Sequence, residues 1–128
     1  MLGSADLIAF VPTRHPARAR AFYEDTLGLR FVSQDDFAVE FNANRVTLRI
    51  VDVSRVEGHR PYPFTVLGWL VADVASTVAE LESRGVTFER FPGLSQDRLG
   101  IWDSPSGARV AWFKDPDGNV LSVTQVER

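Results

Sequence analysis

The chain writes one pattern twice. The stretch from Thr13 to Phe31 and the stretch from Val71 to Phe88 carry the same signals in the same order. Self-similarity of this kind limits the fold to two copies of one supersecondary unit. In the first copy an apolar run, Leu7-Ile8-Ala9-Phe10-Val11, leads through His15-Pro16 into a segment with Ala19, Phe22, Tyr23 and Thr26 on one helical stripe, and Gly28 ends it. In the second, Val66-Leu67-Gly68-Trp69-Leu70-Val71 leads through Asp73 into Val74, Val78 and Leu81 at helical spacing, closed by Gly85. Pro16 suits a first helical position, where its missing N–H has no partner anyway, and Asp73 can accept from the free amides of a helix start.

Short strands follow each helix: Leu29–Ser33, Phe37–Phe41 and Val46–Val51 first, then Val86–Phe91, Gly100–Asp103, Ala108–Phe113 and Asn119–Val126. Asn42-Ala43-Asn44 and Asp115-Pro116-Asp117-Gly118 supply the turn before the last strand of each copy. The predicted class is α+β, βαβββ twice: module one over about 5–57, a Gly/Pro-bearing linker over about 57–64, and module two over about 65–128. Aligning the copies through Thr13/Val71 and Leu48/Leu121 pairs Ile8 with Val66 and Arg49 with Ser122.

With 128 residues, 45% hydrophobic and 24% charged, the chain has the size and composition of one globular domain, and such a domain buries roughly two-thirds of its unfolded surface. A net charge of -3 argues against a nucleic-acid partner, which needs a basic face. The lack of cysteine removes disulfides, thiolate metal sites and cysteine nucleophiles together. No apolar run reaches the roughly 20 residues of a spanning helix, and the N-terminus has no signal-peptide pattern. The expectation is no membrane partner and a cytoplasmic location.

Two motifs then carry a family resemblance. Ala21-Phe22-Tyr23-Glu24-Asp25-Thr26-Leu27-Gly28-Leu29 and Lys114-Asp115-Pro116-Asp117-Gly118-Asn119, in register with the repeat, resemble signatures of the glyoxalase/bleomycin resistance protein/dioxygenase, or vicinal oxygen chelate, superfamily. The resemblance covers essentially the whole chain. It implies two modules curling mixed sheet around a cleft with helices outside, and a homodimer, for which Phe91-Pro92-Gly93-Leu94 and the His59–Pro63 linker are plausible contact loops. Short curled sheets also leave edges that pairing would cover. Strand alternation would turn Ala9, Val11 and Thr13 to the helix and Ile8, Phe10 and Pro12 to the cleft; Leu67, Trp69 and Val71 to the helix and Val66, Gly68 and Leu70 to the cleft.

Metal-using members of that family resemble one another in placing His, Gln or Glu on the first, fourth, fifth and eighth strands. Carried over, those positions are Ile8, Arg49, Val66 and Ser122: two aliphatic residues, one cation and one weak hydroxyl donor. Divalent ions need better donors, so neither a metal nor another cofactor is predicted. His15 reads as a cap or surface residue and His59 as loop polarity, though either could act as an acid or base.

The cleft face then offers Ile8, Phe10, Val66 and Leu70 as apolar wall with Arg49, Ser122 and Thr124 as its polar minority, a mix suited to a small, partly apolar, anionic ligand. Trp102 and Trp112 either stack an aromatic or sugar-like ligand or pack in the core. Arg49 either forks onto a ligand carboxylate or phosphate or pairs with Glu40 or Asp103. Three functions stay open: a metal-independent binding protein; a metal-dependent lyase, isomerase or dioxygenase with non-standard ligands; and a metal-free enzyme in which Arg49 stabilises an oxyanion.

Overall fold

The computed structural model describes residues 1–127. The chain divides into two compact units between Pro61 and Tyr62. Module one contains strands β1 (Ile8–Thr13), β2 (Arg30–Gln34), β3 (Ala38–Ala43) and β4 (Val46–Asp52), with helix α1 (Pro16–Ala21) after β1. They form a four-stranded sheet in the order β1-β4-β3-β2, parallel only at the β1/β4 pair. Module two repeats this layout with β5 (Thr65–Leu70), α2 (Val74–Ser83), β6 (Trp102–Asp103), β7 (Ala108–Lys114) and β8 (Val120–Val126), in the order β5-β8-β7-β6. Neither sheet closes on itself, and the two are separate mixed sheets of α+β type.

Each helix covers one face of its own sheet. In module one, Val11, Leu48, Ile50, Val39 and Phe41 are almost wholly buried with Ala19 and Tyr23, and the Tyr23 and Phe41 rings lie 6.0 Å apart. In module two, Val74 and Val78 of α2 are fully buried alongside Ala111, Phe113 and Leu121, and Trp69 stacks on Phe113. Each such side chain taken fully from water contributes about 1.5–3 kcal/mol, so one apolar stripe per helix is enough to hold it down.

The helix ends follow their residues. Asp73 Oδ1 accepts from the Ser76 amide, and Gln125 Oε1 takes the Val74 amide, anchoring the start of α2 to β8. At its end Val86 N donates to Leu81 O around Gly85, which has a φ of 93° that a side chain would strain. Helix α1 is shorter than its apolar stripe predicts. From Phe22 to Thr26 it widens into a π-turn, with Leu27 N donating to the Phe22 carbonyl five residues back.

Two further expectations are corrected. The turn before β4 is the pair Asn44-Arg45, with Asn44 at a φ of 58°, because β3 continues through Ala43. The strand expected at Val86–Phe91 does not form: Phe88 makes a single bridge to Phe113, Glu89 N donates to Trp112 O, and the chain then leaves the β7 edge until Trp102. The Gln96 side chain takes over the missing ladder. Its Nε2 donates to Glu89 O and Gly100 O, and its Oε1 accepts from Phe91 N, satisfying backbone groups that a strand would otherwise pair. The second expected strand, Gly100–Asp103, shrinks for the same reason to the two residues of β6.

Candidate functional site

The face of each sheet turned away from its helix carries the residues singled out from the sequence. In module one the ladder sets them in cross-strand rows: Ile8, Thr47, Asn42 and Arg30; then Phe10, Arg49, Glu40 and Ser33. Ile8 and Phe10 are 54% and 61% exposed, while their alternates Val11 and Thr13 are buried against the helix side. Arg49 therefore has an aromatic neighbour on one strand and a carboxylate on the other.

Its guanidinium does not stand alone. Arg49 Nη1 donates to Glu40 Oε1 at 2.9 Å, and the two side chains are 31% and 26% exposed. Of the partners weighed from the sequence, the adjacent-strand one is realised, while Asp103 pairs with Arg109 at 3.1 Å. A half-screened pair of this kind holds its charges in place but leaves guanidinium N–H groups available to a third partner.

In module two the corresponding rows are Leu70, Thr124, Val110 and Trp102; then Gly68, Ser122 and Trp112; then Thr65, Val120 and Lys114. Leu70 is 63% exposed and lines a hollow of about 320 Å³ with Val71, Ala72 and Val126. Thr124 is half-buried and Ser122 buried. Trp102 and Trp112 are half-buried on this open face, with centroids 6.0 Å apart and planes at 35°, so neither belongs to the core beneath α2. Phe91, absent from the residues picked out as ligand-binding, stands at 88° to Trp112 with centroids 5.3 Å apart.

Val66 differs from its sequence assignment. Between Thr65 and Leu67 strand β5 advances two residues while β8 advances one, so Val66 is the extra residue of a bulge and is half-buried. The ladder makes Phe10 equivalent to Gly68 and Arg49 to Ser122, but it places Thr65 rather than Val66 opposite Val120, as Ile8 lies opposite Thr47. Sequence alignment of the two copies counts residues and has no means of registering a bulge. Thr65 faces the open side, where its Oγ1 accepts from Trp112 Nε1 at 3.1 Å.

These residues do not fit a divalent metal. Ile8 and Val66 offer no donor, Arg49 is cationic and already paired with Glu40, Ser122 is a lone hydroxyl, and Thr65 has its oxygen engaged by an indole. Among the described residues no three His, Asp or Glu side chains come together as a metal-binding cluster. His15 precedes α1 exposed, without a side-chain cap bond, and His59 is tied through its carbonyl to Arg14.

The chain belongs to the Glyoxalase/Bleomycin resistance protein/Dioxygenase superfamily, whose model matches residues 6–123. Among solved structures it is similar to a superfamily member from Sphaerobacter thermophilus DSM 20745, at 23% identity and a TM-score of 0.76, over 98% of this chain and 99% of that one. It is also similar to TnmS3, an antibiotic binding protein from Streptomyces sp. CB03234, at 26% identity and a TM-score of 0.75, over 99% of both chains. A lactoylglutathione lyase from Agrobacterium tumefaciens matches at 21% identity and a TM-score of 0.70, over 95% of this chain and 93% of that one. No curated protein matches the chain. No described helix is long and apolar enough to cross a membrane.

Proposed function

We propose that this chain is a metal-independent binding protein that works in the cytoplasm as a homodimer and holds a small, partly apolar, anionic molecule on the open face of a sheet. The observation that carries the reading is the Arg49–Glu40 pair, which puts a guanidinium where metal-using relatives are expected to carry a donor atom. A fixed cation attracts ligand oxygens without a metal, through charge-assisted hydrogen bonds. On module one Ile8 and Phe10 supply apolar surface beside it; the open face of module two by itself offers Leu70, Trp102 and Trp112 as apolar surface, with Ser122 and Thr124 as polar contacts. The likeness to an antibiotic binding protein supports binding of an antibiotic-like small molecule. The likeness to a lyase supports the competing, metal-dependent reading, which the donor set disfavours.

The test is a thermal-shift screen of small anionic and aromatic compounds on protein purified without a chelating tag, paired with elemental analysis. A ligand that binds only the native state raises the melting temperature by mass action. Expected are ligand-dependent shifts that Arg49→Met reduces, without stoichiometric Fe, Mn, Ni or Zn. A stoichiometric metal whose removal abolishes binding would overturn the reading. Sedimentation equilibrium decides the homodimer, with a monomer at micromolar concentration as the contrary result.

A further inference from the structure

The Trp112 indole on module two does not stand upright from its strand. Its Nε1–H reaches Thr65 Oγ1, and Thr65 lies on β5, two strands away from β7 with β8 between them. Adjacent strands are about 4.8 Å apart, so the contact spans roughly 10 Å and requires the ring to lie across the sheet. The line from Trp112 to Thr65 crosses β8 between Ser122 and Val120, which are only 7% and 5% exposed. The far side of Ser122 belongs to Gly68, which has no side chain to stand in the way.

The bulge makes this arrangement possible. Leu67 lies opposite the fully buried Leu121, on the helix side of the sheet, and strict alternation would send Thr65 to that side as well. The extra residue, Val66, turns Thr65 over and brings its hydroxyl onto the open face. An indole whose only donor is already engaged presents a flat apolar surface with no polar edge left to satisfy. Trp102, 6.0 Å away and tilted by 35°, extends that surface beyond the length of one ring, and Phe91 bounds it nearly perpendicular.

We infer that Thr65 is a positioning residue that pins Trp112 flat, and that Trp112 and Trp102 together form a shelf for planar ligands of two or more fused aromatic rings. This names the ligand class within the binding reading above and rests on it. Offset stacking rewards a flat π-surface and gives a puckered saturated ring of similar size no matching face.

The test uses the full chain and two probes that share an anion and differ in planarity, 2-naphthalenesulfonate and cyclohexanesulfonate, titrated by calorimetry and tryptophan quenching. Wild type should bind the naphthalene at least tenfold more tightly. Thr65→Val keeps the branched shape but loses the hydroxyl, and should erase most of that preference. Thr65→Ser should restore it, and Trp112→Leu should abolish it; urea unfolding of each variant checks that it is folded. Equal affinity of wild type for both probes, or a full preference in Thr65→Val, overturns the shelf while leaving the binding reading intact. Binding of neither probe, in a protein whose screen also yields no ligand, overturns both.

Discussion

Gly68 should not tolerate even a methyl group, and the reason lies in one neighbour. A Cβ built on Gly68 falls 2.6 Å from Ser122 Oγ, whereas the Ser122 carbonyl oxygen and Cβ lie at ordinary contact distances of 3.5 and 3.9 Å. The first contact is 0.8 Å inside ordinary van der Waals contact, which begins at 3.4 Å. Ser122 is 7% exposed, so its hydroxyl has little room to swing away. Overpacking by a methylene-sized group costs about 1–3 kcal/mol, offset by up to about 1 kcal/mol because alanine has less conformational freedom to lose than glycine. Gly68→Ala should therefore destabilise the protein by about 1–2 kcal/mol. In a Ser122→Ala background the offending oxygen is gone, and the same substitution should be close to neutral. Urea denaturation of the four proteins forms a double-mutant cycle, and a coupling of about 1–2 kcal/mol is expected. Equal cost of Gly68→Ala with and without the Ser122 hydroxyl would refute the geometry.

Three other perturbations follow from contacts already described. Glu40→Gln removes the charge that neutralises Arg49, so affinity for a small anion such as sulfate should rise several-fold at low salt at a stability cost of about 1 kcal/mol; unchanged affinity in calorimetry would remove Arg49 from the binding face. Asp115 is 6% exposed and accepts from the amides of Asp117 and Asn119 and from Asn119 Nδ2, so Asp115→Ala should cost about 3 kcal/mol in urea unfolding, and a loss below about 1 kcal/mol would contradict that role. The Phe37 amide, then the Ala38 amide, hold the Asp35 carboxyl below its ordinary pKa. A carboxylate lowered on folding stabilises the protein above the unfolded pKa, about pH 4, and that contribution is lost as pH falls through the folded value. Asp35→Asn should accordingly flatten the acid limb of the stability profile below about pH 4, and an unchanged limb would count against it.

The layout of the molecule was legible because it rests on periodicity and punctuation. Alternating apolar residues, a helical stripe ended by Gly28 or Gly85, and the Asp115 to Asn119 turn are local signals whose energetics the surroundings do not reverse. Alternation also predicted which side chains leave the helix face, and the exposure of Ile8 and Phe10 against the burial of Val11 follows it. What only the tertiary structure decided depends on groups distant in sequence. Whether Arg49 stood free or beside Glu40 depended on the register of β3 against β4. The Val86–Phe91 run had the composition of a strand, yet Gln96 satisfied its backbone and the ladder was not needed. The bulge at Val66 adds a single residue with no composition signal of its own, and it alone brings Thr65 to a tryptophan 47 residues away along the chain. Local chemistry sets the elements; the sharing of hydrogen bonds between distant segments sets which side chains meet.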